Sequence, residues 1–251
     1  MTQTPYYTKL KQRGTIIISG KDAYDFLQNL ISNDITLLDT QDCVYSCLLT
    51  PQGKFLYDFF ITKDVNGSII MDCEGNERLD GLVKILNMYK LRADVSIIAT
   101  DNIDVFAIIG NKQGVKDPRH NDLGNRSFEK PVSLPEKPFD EWDQHRISLT
   151  IPDGSRDMIP SKSTLLEYNI DQLNGLSYEK GCYIGQELTA RMHYRGLTKK
   201  ILCTVTPSEI EMESLPQSGE SITLNGKNIG LMRSSCNDIG LAVLKKGYIK
   251  K

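Results

Sequence analysis

The chain has 251 residues and a mass of 28.3 kDa, with 30 Lys and Arg against 32 Asp and Glu for a net charge of −2, 39% apolar residues and 25% charged ones. This size allows one large domain or two to three small ones, and the composition supplies a core, which excludes disorder as the main state. The near-neutral balance argues against nucleic acid as a partner, because a phosphate-binding face needs a basic excess.

The first residues, MTQTPYYTKLKQRG, contain no apolar signal core, and runs such as residues 105–109 are far shorter than the roughly 18 residues of a membrane span. The expectation is a cytoplasmic protein with no membrane partner. Residues 14–19 (GTIIIS) are β-rich, and Phe26, Leu27, Leu30 and Ile31 recur at helical spacing, so the chain opens strand then helix. Residues 43–49, 55–62 and 68–72 read as a meander, with turns at Pro51-Gln52-Gly53 and Asn66-Gly67. Residues 76–90 put Leu79, Leu82, Val83 and Leu86 on one helical stripe, and 93–99 and 103–109 are two more strands. Helices mixed with an antiparallel sheet define the α+β class.

From 114 to 138 the chain is polar and carries Pro118, Pro131, Pro135 and Pro138, which reads as a connection between subdomains. A helix is expected over 140–147, and 150–175 is irregular, punctuated by Pro152, Gly154, Pro160 and Gly175. After about residue 200 come short strands at 201–206, 221–224, 227–232 and 239–244 with an Asn225-Gly226 turn, the pattern of a small β-barrel. The expected division is 1–198 and 199–251.

Six cysteines, at 43, 47, 73, 182, 203 and 236, are too sparse and irregular for a disulfide scaffold. With no C-x-x-C pair and only His120, His145 and His193, a closed zinc site has no local signature. One stretch stands out: KGCYIGQE at residues 180–187 brackets Cys182 with Gly181 and Gly185 just before a helix start, with Lys180 beside it. A thiol in that setting is prone to thiolate chemistry or metal binding; spacing alone is equally met by a small packed residue. Residues 189–200 add Arg191, Arg195, Lys199 and Lys200 and no acid, a basic stripe that suits an extended anion or simply faces water. A carboxylate such as Glu187 can match the N–H donors of a pterin, and the stripe can receive glutamate carboxylates at the other end of a folate.

KGCYIGQE, followed by Arg191 and Arg195-Gly196, resembles the signature of the YgfZ family of folate-binding proteins. That family assists iron–sulfur cluster assembly, includes a mitochondrial factor for four-iron clusters, and is related to the aminomethyltransferase (T-protein) of glycine cleavage. The resemblance extends to GKDAYDFLQ (20–28), PQGKFLYD (51–58) and Asp117-Pro118-Arg119 with Leu123-Gly124. It implies a three-part ring of two interleaved ferredoxin-like α+β subdomains and a C-terminal β-barrel around a central channel for tetrahydrofolate. It also implies that Cys182 is the reactive or cluster-contacting thiol, held by Lys180, Gly181, Tyr183, Gly185, Gln186 and Glu187, with Arg191 and Arg195 following. The implied partners are an iron–sulfur scaffold or client iron–sulfur proteins. The T-protein has two consecutive acids in its hairpin where this chain has Tyr57-Asp58, so the resemblance favours an assembly factor over a one-carbon (aminomethyl) transferase. In the transferase alternative Asp58 would serve as a general acid–base at the folate.

The other cysteines read as packing residues, His193 is either an aid to the thiol or a surface residue, and Trp142 is either a core anchor or a channel wall. Residues 110–116 lack the ending of a phosphate loop, and 175–179 lack the second glycine of a hydrolase elbow.

Overall fold

The computed structural model describes residues 4–100 and 102–248. Residues 1–3, used in reading the chain start, and 249–251, the end of the expected barrel, lie outside the described residues.

Three sheets organise the chain. The strands β1 (Tyr6–Lys9), β2 (Arg13–Ser19), β3 (Val44–Leu49), β4 (Phe55–Lys63), β5 (Ile69–Glu74) and β6 (Ser96–Thr100) are joined by helices α1 (Ala23–Gln28) and α2 (Glu77–Lys90). Five of these strands form an antiparallel sheet in the order β3-β4-β5-β2-β6. The helices cover one face: Phe26 and Leu27 of α1 and Leu79, Leu82 and Leu86 of α2 pack on Ile16, Ile18, Phe59, Ile61, Ile69 and Met71. Each of these side chains contributes roughly 1.5–3 kcal/mol by leaving water.

The opposite face mixes apolar side chains with buried charged ones, and a bulge in β4 sets its make-up. Leu48 pairs with Tyr57 but Leu49 with Phe55, so Leu56 is an extra residue that reverses the alternation. Phe55 therefore points away from the helices, whereas Tyr57 and Phe59 point toward them. Beyond the bulge Asp58 and Phe60 share the second face with Cys47 and Tyr45, their partners across β3.

That face is covered by a second sheet, order β1-β7-β9-β8, built with β7 (Phe106–Ile109), β8 (Val115–Lys116) and β9 (Asn125–Ser127). The expected connection at 114–138 thus contains two strands: β9 ladders onto β7, and its Arg126 reaches the first sheet. Helix α3 (Phe139–Ser148) and the short α4 (Gly154–Asp157) complete the cover, and Trp142 is a buried core residue beside Tyr6, Leu10 and Ile109. After α5 (Gln186–Tyr194) the third sheet has the order β10-β13-β12-β11, from β10 (Lys200–Val205), β11 (Ser221–Leu224), β12 (Lys227–Cys236) and β13 (Ile239–Lys245). Asn225 and Gly226 both take positive φ, as a two-residue hairpin turn requires.

Buried polar groups tie the third sheet to the rest. The fully buried Arg146 bonds Asp143 at 2.7 Å, Asp157 at 2.8 Å and the Ser234 hydroxyl at 2.7 Å, while Asp157 accepts from the Ser234 backbone at 2.9 Å. Asn169 adds a bond to the Leu202 carbonyl at 3.0 Å.

Candidate functional site

The signature loop is fastened at its start by Lys180. Its ammonium donates to the carbonyls of Gln28 at 2.6 Å, Ile31 at 2.8 Å and Asn33 at 2.8 Å, and stands 5.2 Å from the Tyr183 ring centre. These carbonyls lie at and just beyond the C-terminus of α1, the end of a helix that favours a cation. Burial pulls the ammonium down to about 8, opposed by Asp34. Lys180 was expected among the cofactor-binding residues; its three donors are spent on backbone. The preceding segment is stitched to the same place, with Ser32 donating to the Gly175 carbonyl at 2.7 Å and Ser177 donating its N–H to the Ser32 carbonyl at 3.0 Å.

Gly185 explains a second letter of the signature. Its φ of +80° is left-handed, and a Cβ there would stand 2.5 Å from the Thr50 carbonyl oxygen. Reciprocally, a Cβ at Gly53 would stand 2.6 Å from that of Leu188. The start of α5 is thereby pressed onto the β3–β4 turn. Tyr183 is buried, and its hydroxyl is pushed up by that burial. A Cβ at Gly181 would meet nothing.

Between these anchors Cys182 is exposed. The other five cysteines are buried or half-buried, and burial pushes every one of their thiols up: Cys73 to about 12, and Cys43, Cys47, Cys203 and Cys236 in the same direction. A raised thiol is a poor nucleophile and a poor ligand. On α5 itself, Thr189 and Met192 face inward, Gln186 is half-buried, and Glu187, Arg191 and Arg195 are exposed. His193 stacks on Tyr178 with ring centres 3.9 Å apart.

Asp58 belongs to a different place. It lies five residues beyond Gly53, about 15 Å of extended chain, and is 1% exposed. Its Oδ2 accepts from the Tyr45 hydroxyl at 3.1 Å, while Oδ1 is buried with no partner. Burial raises the carboxyl to about 6; Glu74 and Asp153 push the same way, against Arg13 and Arg119. Sequence reasoning placed Asp58 with Glu187 in one site; in the fold Asp58 is buried and Glu187 is exposed.

Around Asp58 stands a set of paired charges that sequence reasoning did not assign. Arg13 and Arg126 clamp Asp72 from two sheets, Arg119 grips Asp117 at 2.9 and 3.0 Å, and Arg126 lies 3.7 Å from the Phe60 ring centre. Against the pull of burial, Arg146 and Arg156 hold Asp153 down at about 2. Asp58 is the carboxylate in this set with a buried oxygen that no donor satisfies. Tested against tetrahydrofolate, this orphan acceptor matches a ring N–H donor in chemistry, whereas Glu187 on the outer face of α5 is exposed to water. A cleft of about 450 Å³ opens beside the face, lined by Cys43, Phe60, Thr62, Asp72, Arg126 and Phe128 among others.

Comparison with known proteins supports the same architecture. Residues 200–251 match a family model described as the CAF17 C-terminal beta-barrel domain. The mitochondrial iron–sulfur cluster assembly factor IBA57 of Homo sapiens is 30% identical, over 96% of this chain and 78% of the relative. Its homologue in Mycosarcoma maydis, also mitochondrial by name, is 28% identical over 97% and 74%. Among solved structures, the glycine cleavage system aminomethyltransferase T of Bartonella henselae superposes with a TM-score of 0.73 at 15% identity, covering 98% of this chain and 80% of that one. The fold is therefore T-protein-like α+β with a C-terminal β-barrel. The cytoplasmic location expected from the sequence is corrected: these relatives are named as mitochondrial, which points to the mitochondrion.

Proposed function

The chain belongs to the family of IBA57 iron–sulfur cluster assembly factors, and from that premise we propose that it is a mitochondrial accessory factor whose working group is the Cys182 thiol. The observation that carries the reading is the contrast among the cysteines: five are raised by burial, and Cys182 stands exposed on a loop anchored at Lys180 and Gly185. One thiolate is one ligand of the four that a protein-held cluster usually takes. The others come from an iron–sulfur scaffold or client protein. In cells depleted of this protein, iron–sulfur enzyme activities fall and the wild-type chain restores them; activities that stay normal overturn the reading.

Tetrahydrofolate, a carrier of one-carbon units on its ring nitrogens, is the cofactor in this reading, as it is for the YgfZ relatives that the signature resembles. Its side of the protein is the Asp58 face, and the partnerless Oδ1 supports this. Tyr45 fixes the other carboxylate oxygen, which leaves Oδ1 to accept a hydrogen bond. Anaerobic calorimetry with tetrahydrofolate tests it. Affinity lost in Asp58→Asn supports the assignment, affinity lost only in Glu187→Gln moves the cofactor to α5, and absence of binding removes it.

A second reading, aminomethyl transfer, is favoured by one feature: a buried carboxyl raised to about 6 suits general acid–base work. It predicts turnover with a lipoylated carrier protein, which the assembly reading does not. Tyr57 in the place of a second acid supports the assembly reading.

A further inference from the structure

The outer face of α5 carries a pattern that the thiol does not account for. Arg191, Tyr194 and Arg195 follow at i, i+3 and i+4, so they share one helical face, and all three are exposed while Thr189 and Met192 face the core. Tyr194 is 72% exposed and Leu197, just past the helix, 45%. Arg191, Arg195, Lys199 and Lys200 form no ion pair among the described residues, whereas Arg13, Arg78, Arg119, Arg126, Arg146 and Arg156 are all paired. Four free cations in twelve residues, in a chain of net charge −2, are a local excess. The aromatic at their centre is held in place: Tyr194 meets His193 edge-on at 5.1 Å, and His193 is stacked on Tyr178. Exposed arginines around an ordered tyrosine are the residue types that carry binding energy at protein interfaces.

We propose that this face of α5 docks an acidic surface of the protein that meets Cys182, with Arg191 and Arg195 pairing its carboxylates and Tyr194 and Leu197 covering an apolar spot between them. The proposal rests on the reading of Cys182 as the contact thiol, and it adds the surface that brings a partner to it. Charge complementarity selects the occupant. A basic stripe raises the encounter rate with an acidic face and repels a basic one, and the helix runs away from the Cys182 loop, so a partner lying along it meets the thiol at one end.

The test is photo-crosslinking in cells from a benzoylphenylalanine placed at Tyr194, with the captured peptide identified by mass spectrometry. The expected product is a peptide rich in Asp and Glu from an iron–sulfur scaffold or client. Its yield falls at least tenfold in Arg191→Glu/Arg195→Glu and is kept in Arg191→Lys/Arg195→Lys, with unchanged urea midpoints showing that both variants fold. No cross-link, a cross-link only to a second copy of this chain, or one that survives charge reversal overturns the docking surface. So does its displacement by tetrahydrofolate triglutamate, which returns the two arginines to the cofactor. If Cys182→Ser abolishes rescue of depleted cells while charge reversal does not, the docking surface fails and the thiol's role stands. If neither variant affects rescue, the docking surface and the thiol's role both fail; only depletion that leaves iron–sulfur enzyme activities normal overturns the assembly reading.

Discussion

Replacing Asp58 by Asn should stabilise the protein at neutral pH, because the fold holds this carboxyl in an unfavourable place. In the unfolded chain it titrates near 3.8, and in the fold at about 6. Between these values the native state binds the extra proton, so the group's contribution to stability declines as pH rises through the window and is constant above it. At about 1.4 kcal/mol per pH unit, the ionised group costs about 3 kcal/mol at pH 7.5 and about 1 kcal/mol at pH 4.5. Asn keeps the oxygen that accepts from Tyr45 and removes the charge. Urea denaturation at the two pH values should give Asp58→Asn a gain of about 2–3 kcal/mol at pH 7.5 that shrinks to about 1 at pH 4.5, with an unchanged slope. A loss of stability, or an equal gain at both pH values, would refute the view of Asp58 as a strained carboxylate retained for a function.

Three further substitutions probe the framework. Lys180→Met leaves the carbonyls of Gln28, Ile31 and Asn33 without their donor; at about 1 kcal/mol for each acceptor it should cost about 3 kcal/mol in urea denaturation, and hydrogen exchange should rise over 178–185. Gly185→Ala puts a methyl group against the Thr50 carbonyl at a left-handed φ, so destabilisation of at least about 1 kcal/mol is expected, visible as a lower melting temperature. Arg146→Met leaves the buried Asp157 without a cation, with Asp143 held by Arg156 alone, and removes one of the bonds to Ser234 on β12; a loss of about 3–5 kcal/mol is expected, and a loss below about 1 kcal/mol would show that the barrel is held by its apolar contacts.

The elements that local pattern specifies were legible in the sequence. The β3–β4–β5 meander, the leucine stripe of α2, the barrel strands and the Asn225-Gly226 turn all rest on residues near each other in the chain. What escaped is non-local. Residues 6–9 hold β-prone Tyr6, Tyr7 and Thr8 but are too short a run to stand out, and they become β1 by pairing with β7 a hundred residues later. The bulge at Leu56 decides which face Phe55 and Asp58 occupy, and no local periodicity marks it. The signature was legible as a motif but not as a division of labour. Lys180 finds its carbonyl partners about 150 positions away, and Gly185 is required by the Thr50 carbonyl. The placing of the Cys182 loop follows from those long-range contacts, and the burial of Asp58 from the cover laid over the second face of the sheet, so the exposure of neither residue was legible in the sequence.

The most direct test of the central claim is rescue of depleted cells by Cys182→Ser, with Cys236→Ser as a control for loss of a thiol that burial has raised. The account predicts that Cys182→Ser accumulates to normal levels and fails to restore iron–sulfur enzyme activity, while Cys236→Ser restores it. Full restoration by Cys182→Ser would contradict the account.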